Sequence, residues 1–175
     1  MSAAHISANE AKGILMKMNL PLTGQEQRFG ADKSLVTKTN TKGIIGFASK
    51  DFVDISGFNE EELIGKNHNM IRHPDMPAAV FEIMWKNLQR GLPWHGIIKN
   101  RCKNGDHYWV DAQVVPIQKN GAITGYMSMR TCPSREDVAA AEALYQAAAT
   151  QPEIIQEKTE PSWKKHLSIK NGIPL

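Results

Sequence analysis

The sequence lacks the features that mark several classes of protein. No apolar run approaches the roughly 20 residues that a membrane-spanning helix needs. The first residues, Met1-Ser2-Ala3-Ala4-His5, carry neither the basic segment nor the apolar core of a secretory signal. The two cysteines, Cys102 and Cys132, are too few and too far apart for a disulfide scaffold or a CxxC metal site. These absences predict a cytoplasmic protein whose thiols are reduced packing residues.

Neither sign of charge dominates the chain. It has 21 Lys and Arg against 18 Asp and Glu, a formal net charge of +3, and both signs are interspersed along its 175 residues. Nucleic-acid-binding proteins concentrate basic residues, so this pattern argues against a nucleic-acid partner. With 41% apolar residues, the chain suits one globular domain with some length left over.

The composition divides the chain into three parts. Residues 1–30 are predicted to form an N-terminal extension, which has a weak helical pattern at Ile6, Ala11, Ile14, Leu15 and Met18. Residues 31–133 carry the strand and helix patterns of a compact domain. Residues 134–175 begin with a helix capped by Ser134, which we expect to leave the domain, and continue as a linker.

The central domain has strand patterns at both ends and helical patterns between them. Residues 35–48 predict a hairpin. Asn59 and Glu62 have the spacing of a capping box, and the apolar spacing from Val80 to Leu88 predicts a longer helix that ends at Gly91. The turn dipeptides at 104–105 and 120–121 then predict a three-stranded meander. The fold class is α+β, with a five-stranded antiparallel sheet and short helices covering one face.

Alternation along the meander predicts which side chains face inward. In its first strand these are Trp94, Gly96, Ile98, Asn100 and Cys102. In its second strand they are Tyr108, Val110, Ala112 and Val114, which leaves His107 and Trp109 facing outward at an interface. In the third strand both sets are mixed, so either Ile123, Met127 and Met129 or the opposite set faces the core.

Asn100 is a polar residue on an otherwise apolar face. A buried amide without a partner costs on the order of 1 to 3 kcal/mol. Its partner is therefore either the backbone or a buried water, or the polar edge of a ligand inside the domain.

The segment from Asn67 to Pro77 concentrates amide, imidazole, guanidinium and carboxylate groups. It leads into a helix N-terminus, which favours an anion such as a phosphate, and Arg72 can hold an anion with two hydrogen bonds. The alternative is that Asp75 caps the helix and pairs with Arg72. His68, His73 and Asp75 match no zinc spacing, whereas a haem needs only a single histidine ligand.

Two tryptophans point to an aromatic ligand. Trp85 and Trp94 flank the connection from the long helix to the meander, so both can line one cavity around a flat ring; the alternative is plain core packing. The sequence contains no GxSxG, HExxH or phosphate-binding glycine loop, so an enzyme is not expected.

Three strings carry a family resemblance: HNMIRHPDMP at 68–77, PWHGIIKNRCKNGDHYWV at 93–110 and GYMSMRT at 125–131. They resemble the PAS sensory domains of bacterial aerotaxis receptors, over about residues 19–148. The resemblance implies a PAS fold and a non-covalently bound FAD whose redox state reports respiratory electron flow or oxygen. Its flavin-binding positions match Arg72, His73, Asp75, Trp94 and Asn100. Positions of the cavity wall match Asn69, Phe81 and Trp85.

The resemblance also implies a signalling output. The partner would be the chain's own downstream signalling domain or a chemotaxis receptor module, and we expect a homodimer. This segment is expected to make no membrane contact, although it can be the cytoplasmic sensor part of a membrane-anchored receptor. Light-sensing relatives need a cysteine beside the flavin, and the stretch 67–73 has none. Two alternatives stay open: a haem-binding PAS gas sensor and a ligand-free PAS interaction module.

Overall fold

The computed structural model describes residues 20–155. The helical pattern predicted between Ile6 and Met18 and the linker beyond residue 155 therefore lie outside the described residues. Within 20–155, no helix combines the length and the apolar character that crossing a membrane requires.

A five-stranded antiparallel sheet forms the scaffold. Its strands are β1 (Leu35–Asn40), β2 (Ile45–Ala48), β3 (Trp94–Arg101), β4 (His107–Lys119) and β5 (Ala122–Thr131). Their spatial order is β2-β1-β5-β4-β3, which makes β3 an edge strand. All four strand pairs are antiparallel, so the predicted α+β class, the hairpin and the meander are confirmed.

Helices connect β2 to β3 and follow β5. They are α1 (Lys50–Ser56), α2 (Glu60–Leu63), a 3₁₀ helix (His68–Ile71), α3 (Ala78–Gln89) and α4 (Arg135–Ala148). The predicted capping box begins α2, where the Glu62 carboxylate accepts a hydrogen bond from the Asn59 backbone N–H at 2.9 Å. The N-cap of α3 is Pro77, so Asp75 does not cap this helix.

The main core lies between the inner face of the sheet and helices α1 to α3. The apolar side chains of the inward sets predicted for β3 and β4 are buried there. In β5, the set that faces inward is Tyr126, Ser128 and Arg130, whereas Met129 is 46% exposed. The structure thus decides the register that the mixed sequence of this strand left open.

The prediction that the C-terminal helix leaves the domain is wrong. Helix α4 packs on the outer face of β3 and β4, where Val138 and Ala141 bury Trp109. The ring of Tyr145 stacks on Trp109 with the ring centroids 6.4 Å apart, and its hydroxyl donates a hydrogen bond to the Ile97 carbonyl. Alternation placed Trp109 on the outer face, but it cannot show that a helix of the same chain covers it.

The described part of the N-terminal extension contacts both β4 and α4. The Gln27 N–H donates to the His107 carbonyl at 2.7 Å, and the His107 N–H donates to the Gln25 carbonyl at 2.8 Å. An ion pair of 2.6 Å joins Glu26 to Arg135 at the start of α4. The extension therefore holds the first turn of α4 against the end of the sheet.

The turn between β4 and β5 yields a stability prediction. Gly121 has a φ of 78°, and a Cβ there would meet no atom within 4 Å, so Gly121→Ala strains only the backbone. We expect it to lower the free energy of unfolding by roughly 1 kcal/mol. Denaturant unfolding measures this change.

Gly46→Ala is the matched control. Gly46 also has open space around it, but its φ lies outside the left-handed region. The control variant should be as stable as the wild type or more stable. Equal destabilisation by both substitutions would contradict the assignment.

Candidate functional site

A cavity of about 570 Å³ lies between the inner face of the sheet and the helices before β3. Much of its wall is apolar or aromatic: Ile71, Phe81, Met84, Trp85, Leu88, Ile98, Val114 and Tyr126. The Trp85 and Tyr126 rings meet edge to face with their centroids 5.3 Å apart. This volume and this lining are typical of a site for a small molecule.

Two polar side-chain atoms buried on the cavity wall make no hydrogen bond of good geometry within residues 20–155, although the Asn100 amide lies beside the Tyr108 hydroxyl. These atoms are the amide nitrogen Nδ2 of Asn100 on β3 and the hydroxyl Oγ of Ser128 on β5. Asn100 is 4% exposed and Ser128 is 7% exposed. An unpaired buried donor costs about 1 to 3 kcal/mol, so both atoms call for a partner that enters the cavity.

Arg130 on β5 brings a buried positive charge to the same wall. Its guanidinium donates hydrogen bonds to Thr37 Oγ1 at 3.1 Å and to His68 Nε2 at 2.8 Å, and it lies 5.4 Å from the centroid of the Phe52 ring. Burial lowers the pKa of Arg130 to about 10, which leaves the side chain charged at neutral pH. None of the ion pairs formed among the described residues includes Arg130.

His68 is a neutral hydrogen-bond acceptor for Arg130. Burial, followed by the charge of Arg130, lowers the pKa of His68 to about 3. Because Nε2 accepts from the guanidinium, the ring proton lies on Nδ1. Arg130 is therefore held by two neutral partners, Thr37 and His68, and keeps its full charge toward the cavity.

Exposed polar residues form the opening of the cavity. Lys42, Asn67 and Asn69 line it there, and Asn67 Nδ2 donates to the Lys42 carbonyl at 3.2 Å. Arg72 also lines the cavity, with its guanidinium 4.3 Å from the centroid of the Phe81 ring. The exposed Glu82 lines the cavity as well, so the site combines an apolar interior with a polar opening that carries two cationic side chains and one carboxylate.

The structure brings together five of the eight predicted site residues. These five line the cavity: Asn69, Arg72, Phe81, Trp85 and Asn100. Trp94 is buried in the core, where its indole covers Gly96, and it does not line the cavity. The prediction that Trp85 and Trp94 line one cavity is wrong, because Trp94 packs along its own strand.

His73 and Asp75 lie on the outer side of the edge strand β3, away from the cavity wall. Asp75 forms an ion pair of 2.6 Å with Lys99, and the His73 ring meets the His107 ring with the centroids 5.8 Å apart. Burial and the charge of Lys99 lower the pKa of His73 to about 4. Burial raises the pKa of Asp75, but the hydrogen bond from Lys99 and the charge of His73 outweigh it, so the net shift is downward.

Sequence reasoning missed the polar wall formed by Thr37, Ser128 and Arg130, and it considered His68 only as a metal or haem ligand. The signal was present in the string GYMSMRT, where Tyr126, Ser128 and Arg130 alternate. A charged residue on the inward set of a central strand indicates a functional position, but the mixed composition of β5 hid which set is inward.

No cysteine lines the cavity among the residues that the structure describes. Cys102 is buried elsewhere, where its thiol donates to the Ile55 carbonyl at 3.2 Å and burial raises its pKa to about 12. Within the same range, no group of His, Cys, Asp and Glu is arranged to hold a metal ion.

Comparisons with known proteins agree with this fold. Residues 45–130 match the PAS fold family. The aerotaxis receptor of Escherichia coli (strain K12) is 49% identical over 126 residues, which are 72% of this chain and 25% of the receptor. The nitrogen fixation regulatory protein of Klebsiella pneumoniae is 24% identical over 96 residues, which are 54% of this chain and 19% of that protein. The chain spans a quarter or less of the length of these relatives.

Solved structures of light-oxygen-voltage domains share the same fold. One, studied with a flavin analogue, has a TM-score of 0.57 and 19% identity and covers 62% of this chain and 84% of its own. The dark structure of the blue-light photoreceptor Aureochrome1 has a TM-score of 0.57 and 14% identity and covers 85% and 99%. At these identities the likeness concerns the fold alone.

The Arg130 and His68 pair yields a prediction about protonation. Long-range ¹H–¹⁵N NMR should find His68 neutral, with its proton on Nδ1, from pH 7 down to about pH 5. The folded pKa lies below the unfolded value of 6.5, so this group stabilises the fold at neutral pH and loses that contribution as the pH falls.

Arg130→Met should raise the pKa of His68, because it removes a nearby positive charge. Arg135→Met is the control, since Arg135 pairs with Glu26 at the surface. A protonated His68 at pH 6 in the wild type, or unchanged titration in Arg130→Met, would refute the assignment.

Proposed function

Because the chain contains a PAS domain, we propose that it is a sensor domain that binds FAD non-covalently in the inner cavity and transmits the flavin redox state to a chemotaxis signalling output. The relative with 49% identity is named an aerotaxis receptor, which supports a sensor rather than an enzyme. A cytoplasmic location and a homodimer stay predictions.

The observation that carries the proposal is the pair of unpartnered polar atoms in an aromatic cavity. A flavin ring system is flat and largely apolar, and it has a polar edge of carbonyl and N–H groups. Asn100 Nδ2 can donate to a carbonyl of that edge, and the Ser128 hydroxyl can donate or accept. Trp85 and Tyr126 provide aromatic contact surface. The residues present therefore fit a flavin ring.

The polar opening of the cavity favours FAD over a ligand that consists of the flavin ring system alone. FAD carries a diphosphate and an adenosine beyond its ring, and these parts need a route out of the cavity. Lys42 and Arg72 at the opening offer positive charge to a diphosphate, and Asn69 offers an amide. This assignment keeps Arg72 in the role that the resemblance implied and extends the site to Lys42.

Arg130 provides the electrostatic response to reduction. When bound, the flavin supplies reversible uptake of electrons. A buried cation stabilises added negative charge more strongly than an exposed cation does, because the local dielectric is low. When added negative charge in the cavity attracts the Arg130 guanidinium more strongly, this attraction competes with the hydrogen bonds that Arg130 donates to Thr37 on β1 and to His68. Arg130 thereby links the redox state to the central strands of the sheet.

Helix α4 is the route that we propose for the output. It covers the outer face of β3 and β4, and Ile98, Asn100 and Val114 on the inner face of these strands line the cavity. A ligand changes an output equilibrium only through different interactions with its two states. The output partner is a downstream signalling domain of the same protein or a chemotaxis receptor module.

The haem alternative finds less support in the cavity. Among the described residues His68 is the histidine on the wall, and its Nε2 already accepts a hydrogen bond from Arg130. His73 lies outside the cavity. A ligand-free module would leave Ser128 Oγ without a partner, at the energetic cost given above, and Asn100 Nδ2 with only the Tyr108 hydroxyl beside it, which favours a bound ligand.

The proposal predicts a flavin spectrum for the purified chain, with FAD released by denaturation and identified by mass. Asn100→Ala removes the unpartnered donor, so it should weaken FAD binding about tenfold or more. Ser128→Ala should weaken FAD binding while leaving the stability of the ligand-free protein unchanged or raised, since its hydroxyl has no partner there. Titration with FAD and denaturant unfolding measure these effects.

Gln113→Ala is the matched control for Asn100→Ala. Gln113 is a carboxamide residue on the exposed, outer side of β4, so its substitution should leave FAD affinity within about twofold. A haem spectrum, or wild-type affinity in both cavity variants, would refute the proposal. No chromophore after FAD is added back would refute it as well.

A further inference from the structure

The segment 72–76 contacts both faces of the sheet. It pairs with the free edge of β3 through a bridge between Arg72 and Asn100, and the His73 N–H donates to the Lys99 carbonyl at 3.4 Å. Successive residues of an extended segment point to opposite sides. Arg72 therefore lines the inner cavity, whereas His73 lies on the outer side against His107.

Asp75 holds the segment 72–76 against the edge strand β3. Its carboxylate pairs with Lys99 Nζ at 2.6 Å, on the outer face of β3. Behind it, Met76 is 2% exposed, and its sulfur accepts a hydrogen bond from the Lys99 N–H at 3.3 Å. Lys99 is thus held by the segment through both its side chain and its backbone, one position along the strand from Asn100.

The same ion pair faces helix α4. Asp75 and Lys99 line a small outer cavity together with Trp109, Glu142 and Tyr145. The Lys99 ammonium lies 5.8 Å from the centroid of the Trp109 ring, on which Tyr145 stacks. A continuous set of contacts therefore runs from the cavity-lining Asn100 and Arg72 to the helix.

We propose that Asp75 and Lys99 are positioning residues whose ion pair clasps the segment 72–76 over β3, so that filling the inner cavity stabilises the docking of α4 on the outer face. The inference rests on the proposed function, because flavin is the ligand that fills the cavity. It gives Asp75 a role without contact to the cofactor. A ligand that orders Arg72 and Asn100 orders a bridge one position along β3 from Lys99, and the Lys99 ammonium in turn contacts the Trp109 and Tyr145 stack.

The test uses the full chain with and without FAD and follows hydrogen exchange of the backbone amides in α4. In the wild type, FAD should slow exchange of these amides about tenfold. In Asp75→Asn, which keeps the size but removes the charge, FAD should still bind with an affinity within about tenfold of the wild type. Its slowing of exchange in α4 should disappear. Lys99→Met should have the same effect, and the double variant should be no worse than either single variant.

Asp54→Asn is the matched control, because it makes the same change in an exposed ion pair with Lys50, 2.7 Å long and within α1. Asp54→Asn should leave both the FAD affinity and the FAD-dependent slowing of exchange in α4 unchanged. FAD-dependent slowing that persists in Asp75→Asn, or effects of the single variants that add in the double variant, would overturn the clasp. A loss of FAD affinity of about a hundredfold in Asp75→Asn but not in Lys99→Met would also overturn it, because direct contact with the cofactor would then explain Asp75.

Failure of the proposed function has a different signature. If the wild-type chain binds no flavin, the clasp is judged on the ligand-free protein. Asp75→Asn and Lys99→Met should then both speed exchange in α4 relative to the wild type and to Asp54→Asn. Unchanged exchange in both variants would overturn the clasp there too.

Discussion

A guanidinium buried in the middle of the sheet is the constraint around which the domain is arranged. Arg130 lies on β5, between β1 and β4, and it keeps its charge although it is 4% exposed. Burying a cation is expensive unless hydrogen bonds and a counter-charge compensate for it. Thr37 and His68 supply the acceptors but no negative charge. The inner face of the sheet therefore presents a polar wall to a cavity. In a sheet whose inner face is fully packed, apolar side chains would occupy these positions.

The helices before β3 make this arrangement possible. The 3₁₀ helix that carries His68 is capped by Asn67, whose side chain accepts a hydrogen bond from the Asn69 N–H. This turn brings His68 to Arg130 without the length of a regular helix. Several short helices, each with its own cap, can surround a cavity of this volume because the chain changes direction between one helix and the next. The longer α3 then supplies the aromatic wall through Phe81 and Trp85.

Local patterns predicted the elements well. The spacing of turn dipeptides and apolar residues identified the hairpin, the meander, the capping box of α2 and the stripe of α3, because each depends on residues close together in sequence. The polarity of Asn100 on an apolar strand also predicted a partner inside the domain. Register within β5 escaped prediction because both of its faces mix apolar and polar residues. The docking of α4 escaped prediction because it depends on contacts with strands far back in the chain, such as that of Tyr145 with Ile97, 48 residues earlier.

By itself, the sequence determined the order of the strands and helices, the inward position of Asn100 and the concentration of polar and charged side chains in the loop at 67–77. Only the tertiary structure decided which residues of that loop face the cavity. Arg72 faces the cavity and Asp75 faces α4, because the segment between them lies along an edge strand and the two sides of an edge strand belong to different layers. The tertiary structure likewise joined Thr37, His68 and Arg130, which the chain separates by up to 93 positions, since a buried charge requires acceptors that local sequence does not provide.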